Sequence, residues 1–567
     1  MRSTAEPHIA NVGFDYFGIV AKHFGPGKLR ANMSADPINH VVVLVLENHS
    51  FDQMLGCMQE LYPELEGVIS RPPRQNIDSD GKIYAQAPTK ERQMQFDPHH
   101  EVQHVHEQLE GGNSGFVKNF SRMYPDSKPE DRQCVMGYYP LDFLPSLHQL
   151  ARHFTICDHW FSSLPGPTWP NRFMALTGTA KGRVNMPGDG THNADMAGYF
   201  QQDQDTIFDR LTEKTINWKC YFHDIPQSWV LRHQRLPHNV ARYFYMDEFF
   251  DDARGREQDF PQFCFIEPDF MGIVGNDDHP PHDIMKAQKL IADVYNAVRA
   301  NPDLWRSTLL VVFYDEHGGF YDHVVPPKAV PPDEDHAEYS FDQFGVRVPA
   351  LLISPWVDRT VEKTQFDHTS LLRYLTDKWQ LRPLPSKRMA QANSIGTAIR
   401  SQLREDGLPR IELSSGELTP PKLELEENAI DNDSAHDLAL KRLRDYLTLE
   451  LDEGVPRLYA KFARAAVCVT DYLKGLVTTN GQLFNVSIAE PDKLGTADVS
   501  VKDDVARWLM DRKKKSVAFL AESIRDDRLS EDARRHAART LEMISGRRFH
   551  HEEKLIEAEK LLSLHKQ

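Results

Sequence analysis

The chain has 567 residues, of which 40% are hydrophobic and 26% are charged, and its formal net charge at pH 7 is −17. This composition excludes collagen-like and disordered tail proteins, and the acidic balance argues against a dedicated nucleic-acid binder. The sequence has no run of about 18 apolar residues, so we do not expect an integral membrane protein. Its first residues lack the apolar segment of a standard signal peptide, which predicts a protein that is cytoplasmic as synthesised or exported by a signal-independent route.

Three apolar runs predict strands that are buried on both faces. The first covers residues 39–46, the second is Thr308–Phe313 and the third is Pro349–Ile353. Between the first two, apolar residues recur at helical spacing from Ile284 to Val298. Apolar strands that alternate with amphipathic helices indicate an α/β fold, with a mostly parallel central sheet and helices on both of its faces.

Acidic strings follow the first two of these strands directly. Glu47 and Asn48 open the string ENHSFD, and Asp315 and Glu316 open the string DEHGG. Ligands of open parallel sheets collect at the carboxyl ends of the strands, so strands running the same way would place these side chains on one edge. Carboxylate and amide oxygens are hard ligands that hold divalent metal ions. Adjacent acids after a strand more often solubilise a loop or cap a helix, but two pairs on one edge favour a metal site.

A candidate nucleophile lies in the string LPGPTWPNRF, residues 164–173. Gly166 permits an unusual turn, and Pro170 suits the first turn of a helix that begins near Thr168. Unpaired N–H groups at a helix N-terminus favour an anion, and a cation that lowered the pKa of the Thr168 hydroxyl would let it attack phosphorus. From this string alone, the alternative is that Thr168 only caps the helix.

Histidine is abundant, with 26 residues, and it clusters beside acidic strings. Imidazoles can bind phosphate oxygens, protonate a leaving alkoxide or ligate a metal, although a lone histidine is usually structural. His100 and His104 are four residues apart, so on a helix they would share a face and could form a separate zinc site. The other clustered histidines are His99, His106, His279, His282, His317, His323 and His368.

The composition changes in the last third of the chain. Residues 403–437 are acidic and rich in proline and serine, which predicts a linker. Residues 438–567 show apolar residues at helical spacing, which predicts a mainly helical C-terminal domain. The expected organisation is therefore an N-terminal extension at 1–37, a catalytic domain at 38–402, the linker and the helical domain.

Seven strings occur together in a fixed order: ENHSFD, DPHHE, PGPTWPNR, NDDHPPHD, YDEHGGFYDHVVPP, FGVRVPALLISPW and FDHTS. Together they resemble the bacterial phosphoesterase family that joins phosphatidylcholine-preferring phospholipases C with a group of acid phosphatases. The resemblance covers roughly residues 38–395 and implies an alkaline-phosphatase-like fold. Two departures are His49, where the family usually has arginine, and the absence of the twin-arginine signal of exported members.

The resemblance also implies the roles of individual residues. Thr168 would be the nucleophile and would become transiently phosphorylated, with His279 and His100 as catalytic histidines. His282 and His368 would contact the phosphate. A divalent metal ion, zinc or calcium, would be held by Glu47, Asn48, Thr168, Asp315 and Glu316.

The leading hypothesis is a metal-dependent phospholipase C that cleaves glycerophospholipids, phosphatidylcholine above all, to diacylglycerol and a phosphorylated head group. Trp169, with Tyr138, Tyr139 or Trp160, could form a cation–π cage for a quaternary ammonium, although buried packing is the plainer explanation of these rings. The expected partners are a phospholipid at a membrane surface, no nucleic acid, and a second copy of the chain through the helical domain. The alternatives are an acid phosphatase acting on phosphomonoesters, and a self-assembling or delivered interaction protein with ancillary hydrolase activity.

Overall fold

The computed structural model describes residues 36–187, 199–270, 275–335, 339–404 and 410–412, together with His436, Ala439, Leu440, Arg442 and Leu443. The N-terminal extension expected at 1–37 and the helical domain expected at 438–567 lie almost wholly outside the described residues, as does most of the linker expected at 403–437.

A mixed sheet of eight strands forms the centre of the described fold. Its strands in chain order are β1 (His40–Leu46), β2 (Thr155–Cys157), β3 (Trp218–Phe222), β4 (Tyr243–Tyr245), β5 (Phe263–Glu267), β6 (Thr308–Tyr314), β7 (Ala350–Ile353) and β8 (Val361–Glu362). In space the order is β8-β2-β7-β6-β1-β5-β3-β4. Within these eight described strands β7 alone is antiparallel to its neighbours, so the prediction of a mostly parallel sheet is confirmed.

Short two-stranded pairings flank this sheet, and helices connect the strands. The remaining strands are Gln75–Ile77, Ile83–Ala85, Ala87–Pro88, Gly137–Tyr138, Trp160–Phe161 and Phe366–Asp367. The α-helices are α1 (Phe51–Leu55), α2 (Val102–Asn113), α3 (Phe116–Met123), α4 (Pro129–Cys134), α5 (Pro145–His153), α6 (Thr168–Thr177), α7 (Ile207–Glu213), α8 (Pro237–Val240), α9 (Met246–Arg254), α10 (Ile284–Ala300), α11 (Pro302–Trp305), α12 (His368–Trp379) and α13 (Lys387–Gln391).

The two strands that carry the acidic strings are neighbours in the middle of the sheet. β1 and β6 are parallel, with Leu46 opposite Tyr314, and every residue of both strands is buried. Their unbroken runs of β-branched and leucine residues suit a strand that is covered on both faces. The predicted strands and the helix from Ile284 are thus confirmed, and the strings after β1 and β6 leave the sheet side by side.

An internal ion cluster ties together the segments that follow the two acidic strings. Arg347 is fully buried, and its guanidinium bonds to Asp322 Oδ1 at 3.0 Å and to Asp52 Oδ1 at 3.1 Å. Asp52 lies in α1 just after β1, and Asp322 lies in the loop after β6. The remaining Arg347 nitrogen donates to the backbone carbonyls of Glu66 and Asp158. The Arg347 side chain therefore anchors both loops beyond the carboxyl ends of β1 and β6.

No helix among the described residues is both long enough and apolar enough to cross a membrane.

Replacing Arg347 should destabilise the fold strongly. In Arg347→Met the buried carboxylates of Asp52 and Asp322 lose the guanidinium that pairs with both, and we expect the free energy of unfolding to fall by about 3–5 kcal/mol in urea denaturation. Arg256→Met, at an exposed ion pair with Asp259, is the matched control and should change it by less than about 0.5 kcal/mol. Equal effects of the two substitutions would contradict the anchoring role of Arg347.

Candidate active site

The two acidic strings meet at the carboxyl ends of β1 and β6. The backbone N–H of Asp315 donates to the carbonyl of Leu46 at 3.0 Å, and that of His49 donates to the carbonyl of Glu316 at 3.2 Å. The prediction that both strings share one edge of the sheet is therefore confirmed. The four side chains predicted to bind metal here are all buried, namely Glu47, Asn48, Asp315 and Glu316.

The backbone of the two strings approaches closely at one glycine. Gly318 has a φ of 59°, and a Cβ atom built on it would lie 2.2 Å from the carbonyl oxygen of Asn48. Asn48 itself has a φ of 63°, in the left-handed region that asparagine tolerates better than most residues. The string DEHGG thus needs a glycine at this position for the loops to pack together.

The helix α6 brings the candidate nucleophile toward these loops. It begins at Thr168, whose side chain is fully buried, and Arg172 lies one turn further along the same face. Arg172 Nε donates to Asp315 Oδ2 at 2.8 Å, and its Nη2 donates to Glu47 Oε1 at 3.0 Å. One guanidinium therefore connects the α6 face that carries Thr168 with a carboxylate from each acidic string.

Several oxygens in these residues have no hydrogen-bond partner in the described structure. Glu47 Oε2, Asn48 Oδ1, Thr168 Oγ1 and Glu316 Oε1 are buried and accept no hydrogen bond within the described structure. Buried polar atoms are nearly always paired, so four such oxygens on predicted metal ligands fit the donor set of a divalent cation. The fifth predicted ligand, Asp315, has both oxygens engaged, by Arg172 and by the backbone N–H of Glu316.

Burial without full charge compensation shifts the protonation of this cluster. Burial raises the pKa of Glu47 well above its usual range, although Arg172 opposes the shift. Burial likewise raises the pKa of Asp315, and it raises the pKa of Glu316 to about 8. Glu47 and Asp315 thus share one guanidinium, whereas the opposite charge nearest to Glu316 is that of His100.

Two of the predicted histidines present a ring nitrogen to this region. His100 Nδ1–H donates to the carbonyl of Pro98 at 2.8 Å, and His279 Nδ1–H donates to the carbonyl of Pro280 at 2.6 Å. Their Nε2 atoms are directed at acids, since His100 Nε2 lies 3.9 Å from Glu316 Oε1 and His279 Nε2 lies 3.6 Å from an Asp97 oxygen. Burial opposes protonation of His100, but Glu316, Asp97 and Glu101 outweigh it and raise its pKa to about 9.

The other two predicted phosphate ligands, His368 and His282, each make hydrogen bonds to other protein groups. His368 Nε2–H donates to the backbone carbonyl of Asp315 at 2.7 Å, while its Nδ1 accepts from Trp160 Nε1 at 3.2 Å. Neither nitrogen of His368 is left for a phosphate oxygen, and the ring instead supports the loop after β6. His282 Nδ1 pairs with Asp277 Oδ1 at 2.5 Å.

The described structure does not bring His100 and His104 together as the possible separate zinc site, although His104 lies in a group of potential metal ligands with His99 and Glu101. His100 is turned toward Glu316, whereas the ring of His104 lies 4.9 Å from that of His99. His104 Nδ1 accepts from the Asn119 amide at 3.0 Å. The two rings therefore face different surroundings although their residues are four apart.

Trp169, Trp160 and Tyr139 do not form the possible aromatic cage in the described structure, because their rings pack into separate clusters. Trp160 stacks on Phe313, and Tyr139 stacks on Phe143. Trp169 is buried beside Tyr199 and Phe200. Buried packing accounts for Trp160 and Tyr139, and the ring next to the candidate nucleophile has no aromatic partner from the predicted set.

Three further residues of this site were not predicted from the sequence, namely Arg172, Gln227 and His436. Arg172 had a usable signal, its four-residue spacing from Thr168 in the string PGPTWPNR. Gln227, in a 3₁₀ turn at Gln227–Val230, donates to Glu47 Oε1 at 2.8 Å, and no pattern marks it. His436, which lies 3.2 Å from Glu47 Oε2, belongs to the residues predicted to be a linker.

The chain matches one family model and is similar to several known proteins. A model described as the Phosphoesterase family matches residues 38–382. Non-specific phospholipase C3 of Arabidopsis thaliana is 34% identical over 412 residues, which are 66% of this chain and 76% of that protein. Phospholipase C B of Mycobacterium tuberculosis is 27% identical over 417 residues, 65% of this chain and 78% of that protein.

The similarity to solved structures is low. Lipoteichoic acid synthase LtaP from Listeria monocytogenes is similar at a TM-score of 0.29 and 11% identity, over 73% of this chain and 92% of that one. A protein in the alkaline phosphatase superfamily from Vibrio parahaemolyticus has a TM-score of 0.26 at 11% identity, over 42% of this chain and 62% of that one.

A divalent cation should stabilise the folded chain through the oxygens that lack partners. Addition of Zn²⁺ or Ca²⁺ to metal-depleted protein at about 100 times its Kd should add about 2.7 kcal/mol to the free energy of unfolding, measured as a rise in Tm. Glu316→Gln should abolish most of that rise, and the exposed Glu64→Gln should leave it unchanged. A rise of the same size in Glu316→Gln would place the bound cation elsewhere.

Proposed function

The chain belongs to the Phosphoesterase family and is a phosphoric-ester hydrolase, and on that premise we propose that it is a metal-dependent phospholipase C. Its substrates in this proposal are glycerophospholipids, with phosphatidylcholine preferred, and its products are diacylglycerol and a phosphorylated head group. The names of the plant and mycobacterial relatives support the reaction class. The observation that carries the proposal for this chain is the pair of hydrogen bonds from Arg172, which join the helix of Thr168 to Glu47 and Asp315.

The residues that would hold the cation are Glu47, Asn48, Thr168, Asp315 and Glu316. When bound, a divalent cation supplies positive charge that stabilises an ionised hydroxyl and offsets the charge of a phosphate group. The support is the set of buried oxygens without partners on four of these residues. Arg172 keeps Glu47 and Asp315 apart and oriented, so it acts as a positioning residue.

Thr168 would attack phosphorus as its oxyanion at the N-terminus of α6. A bond forms between Thr168 Oγ and phosphorus, the bond from phosphorus to the diacylglycerol oxygen breaks, and His279 Nε2–H gives its proton to that oxygen. In the second step a water oxygen bonds to phosphorus, and the now neutral His279 takes a proton from that water. The bond between Thr168 Oγ and phosphorus breaks. The head-group phosphate leaves, and both residues return to their starting states.

The choice of His279 as the acid rests on its surroundings. Its Nδ1–H is fixed on the Pro280 carbonyl, and its Nε2 is buried without a hydrogen-bond partner in the described structure. An Asp97 oxygen is 3.6 Å from Nε2. His100 Nε2 is directed at Glu316 and would contact the phosphate instead.

Removal of the Thr168 hydroxyl tests the proposed nucleophile. Thr168→Ala should lower the turnover of phosphatidylcholine by about three orders of magnitude or more, because no covalent intermediate can form. Thr168→Ser keeps a hydroxyl and should retain measurable turnover, and the exposed Thr397→Ala is the matched control that should match the wild type. Full turnover by Thr168→Ala would remove Thr168 from the mechanism.

The substrate class can be separated from that of an acid phosphatase. We expect release of phosphocholine from phosphatidylcholine vesicles, with kcat/KM at least about tenfold above that for an aryl monophosphate, a difference worth about 1.4 kcal/mol in the barrier. Chelation of the cation should abolish both activities. A faster reaction on the monophosphate would assign the chain to the phosphomonoester side of the family.

A further inference from the structure

A residue beyond the family-matched region reaches into the candidate active site. The family match ends at residue 382, whereas His436 lies after the acidic stretch and is only 3% exposed. His436 is helical, as are Ala439, Leu440 and Leu443. These four residues have the spacing of one helical face and all are buried, so we name them the docking face. The three apolar members belong to the main hydrophobic core.

The imidazole of His436 is packed among groups of the proposed mechanism. Its ring lies 5.2 Å from the ring of His279 and edge-on to Phe270 at 5.8 Å. Its Nδ1 lies 3.2 Å from Glu47 Oε2, the oxygen that lacks a hydrogen-bond partner. His436 therefore occupies space next to the one oxygen of Glu47 that is available to a cation.

The hydrogen bonds of Gln227 determine which nitrogen of His436 carries the proton. Gln227 Nε2 is 2.8 Å from Glu47 Oε1, and a carboxylate oxygen that also accepts from Arg172 requires an N–H donor at that position. The same amide nitrogen is 2.8 Å from His436 Nε2, so Nε2 must be the unprotonated acceptor. The proton of the neutral ring is then on Nδ1, facing Glu47 Oε2.

We propose that the docking face binds at this chain's own active site. We further propose that His436 and the divalent cation compete for Glu47 Oε2. A nitrogen that carries a proton cannot ligate a metal, and its positive end repels a cation at the same oxygen. The inference rests on the proposed function, since it takes Glu47 as a ligand of the catalytic cation. It goes further by assigning a competitor from outside the family-matched residues.

A different geometry would make His436 a ligand. Nitrogens of His279 and His436 and an oxygen of Glu47 lie within 4.8 Å of one another, close enough for one ion to reach all three. Ligation through Nδ1 would require the proton on Nε2, where the Gln227 N–H group already points. The hydrogen bonds favour competition, and the two possibilities predict opposite changes in cation affinity.

Calorimetric titration of the metal-depleted full chain with Zn²⁺, and separately with Ca²⁺, distinguishes them. His436→Ala should bind the cation about tenfold to a hundredfold more tightly than the wild type, because the N–H group that competes with the cation for Glu47 Oε2 is removed. His436→Asn keeps an N–H donor near the position of Nδ1 and should stay within about threefold of the wild type. The exposed His238→Ala is the matched control and should leave the affinity unchanged. An unchanged or weaker affinity in His436→Ala would overturn the proposal, and a weaker one would identify a ligand.

A chemical readout tests the docking without relying on turnover or on a variant that must fold. In metal-depleted wild type, His436 should resist acylation by diethylpyrocarbonate while His238 reacts, and a saturating cation should make His436 reactive. Equal reactivity of the two histidines without metal would refute docking, and protection that persists with the cation bound would refute competition. Full turnover by Thr168→Ala would contradict the proposed function, and that result is independent of the docking measurement.

Discussion

The site depends on how the negative charge of Glu47 and Asp315 is balanced after both carboxylates are buried. Isolated ions in a protein interior are costly, and one side chain, Arg172, bonds to both of them. The guanidinium suits this task because its planar fork can donate to two carboxylates at once. With Glu316 close by, the compensation is incomplete, and the donors that complete it decide the chemistry of the site. Among the described residues, Gln227 donates a hydrogen bond to Glu47 and the His436 ring lies beside its other oxygen, and in the proposed mechanism a cation supplies further positive charge.

The scaffold keeps this arrangement in place from two directions. The pairing of β1 with β6 aligns Leu46 with Tyr314 and so fixes where the acidic strings begin. Downstream, Arg347 joins Asp52 to Asp322 and fixes where both strings go next. Each loop is therefore held at both ends, which is how a surface loop can present its side chains with the accuracy that catalysis needs.

The sequence predicted the parts of the fold and site that depend on local pattern. Unbroken apolar runs identified β1 and β6, and the rule that ligands gather at the carboxyl ends of parallel strands identified Glu47 and Asp315. The proline and glycine of the string around Thr168 identified the start of α6. These inferences succeeded because strand polarity and helix initiation are set by residues within a few positions of one another.

Features that depend on long-range packing were not predictable in the same way. The ring of Trp160 could be a cage or a core residue, and its stacking on Phe313 of β6 places it in the core. His368 stands in a motif that implied a phosphate ligand, but its hydrogen bond to the Asp315 carbonyl depends on where α12 meets the sheet. Gln227 has no local signature, since one amide between Glu47 and His436 is significant only once distant parts of the chain have met.

The site combines residues from the family-matched part of the chain with His436, which lies beyond it. The carboxylates, the hydroxyl and the catalytic histidines lie within the family-matched residues, whereas His436 comes after an acidic stretch beyond them. Competition for Glu47 would couple the two parts thermodynamically, and such coupling is reciprocal. If docked His436 lowers the affinity for the cation by a given factor, the bound cation lowers the docking equilibrium of His436 by the same factor. A ligand that bound this part of the chain and shifted the docking of His436 would then change the cation occupancy, although it contacted no residue of the family motif.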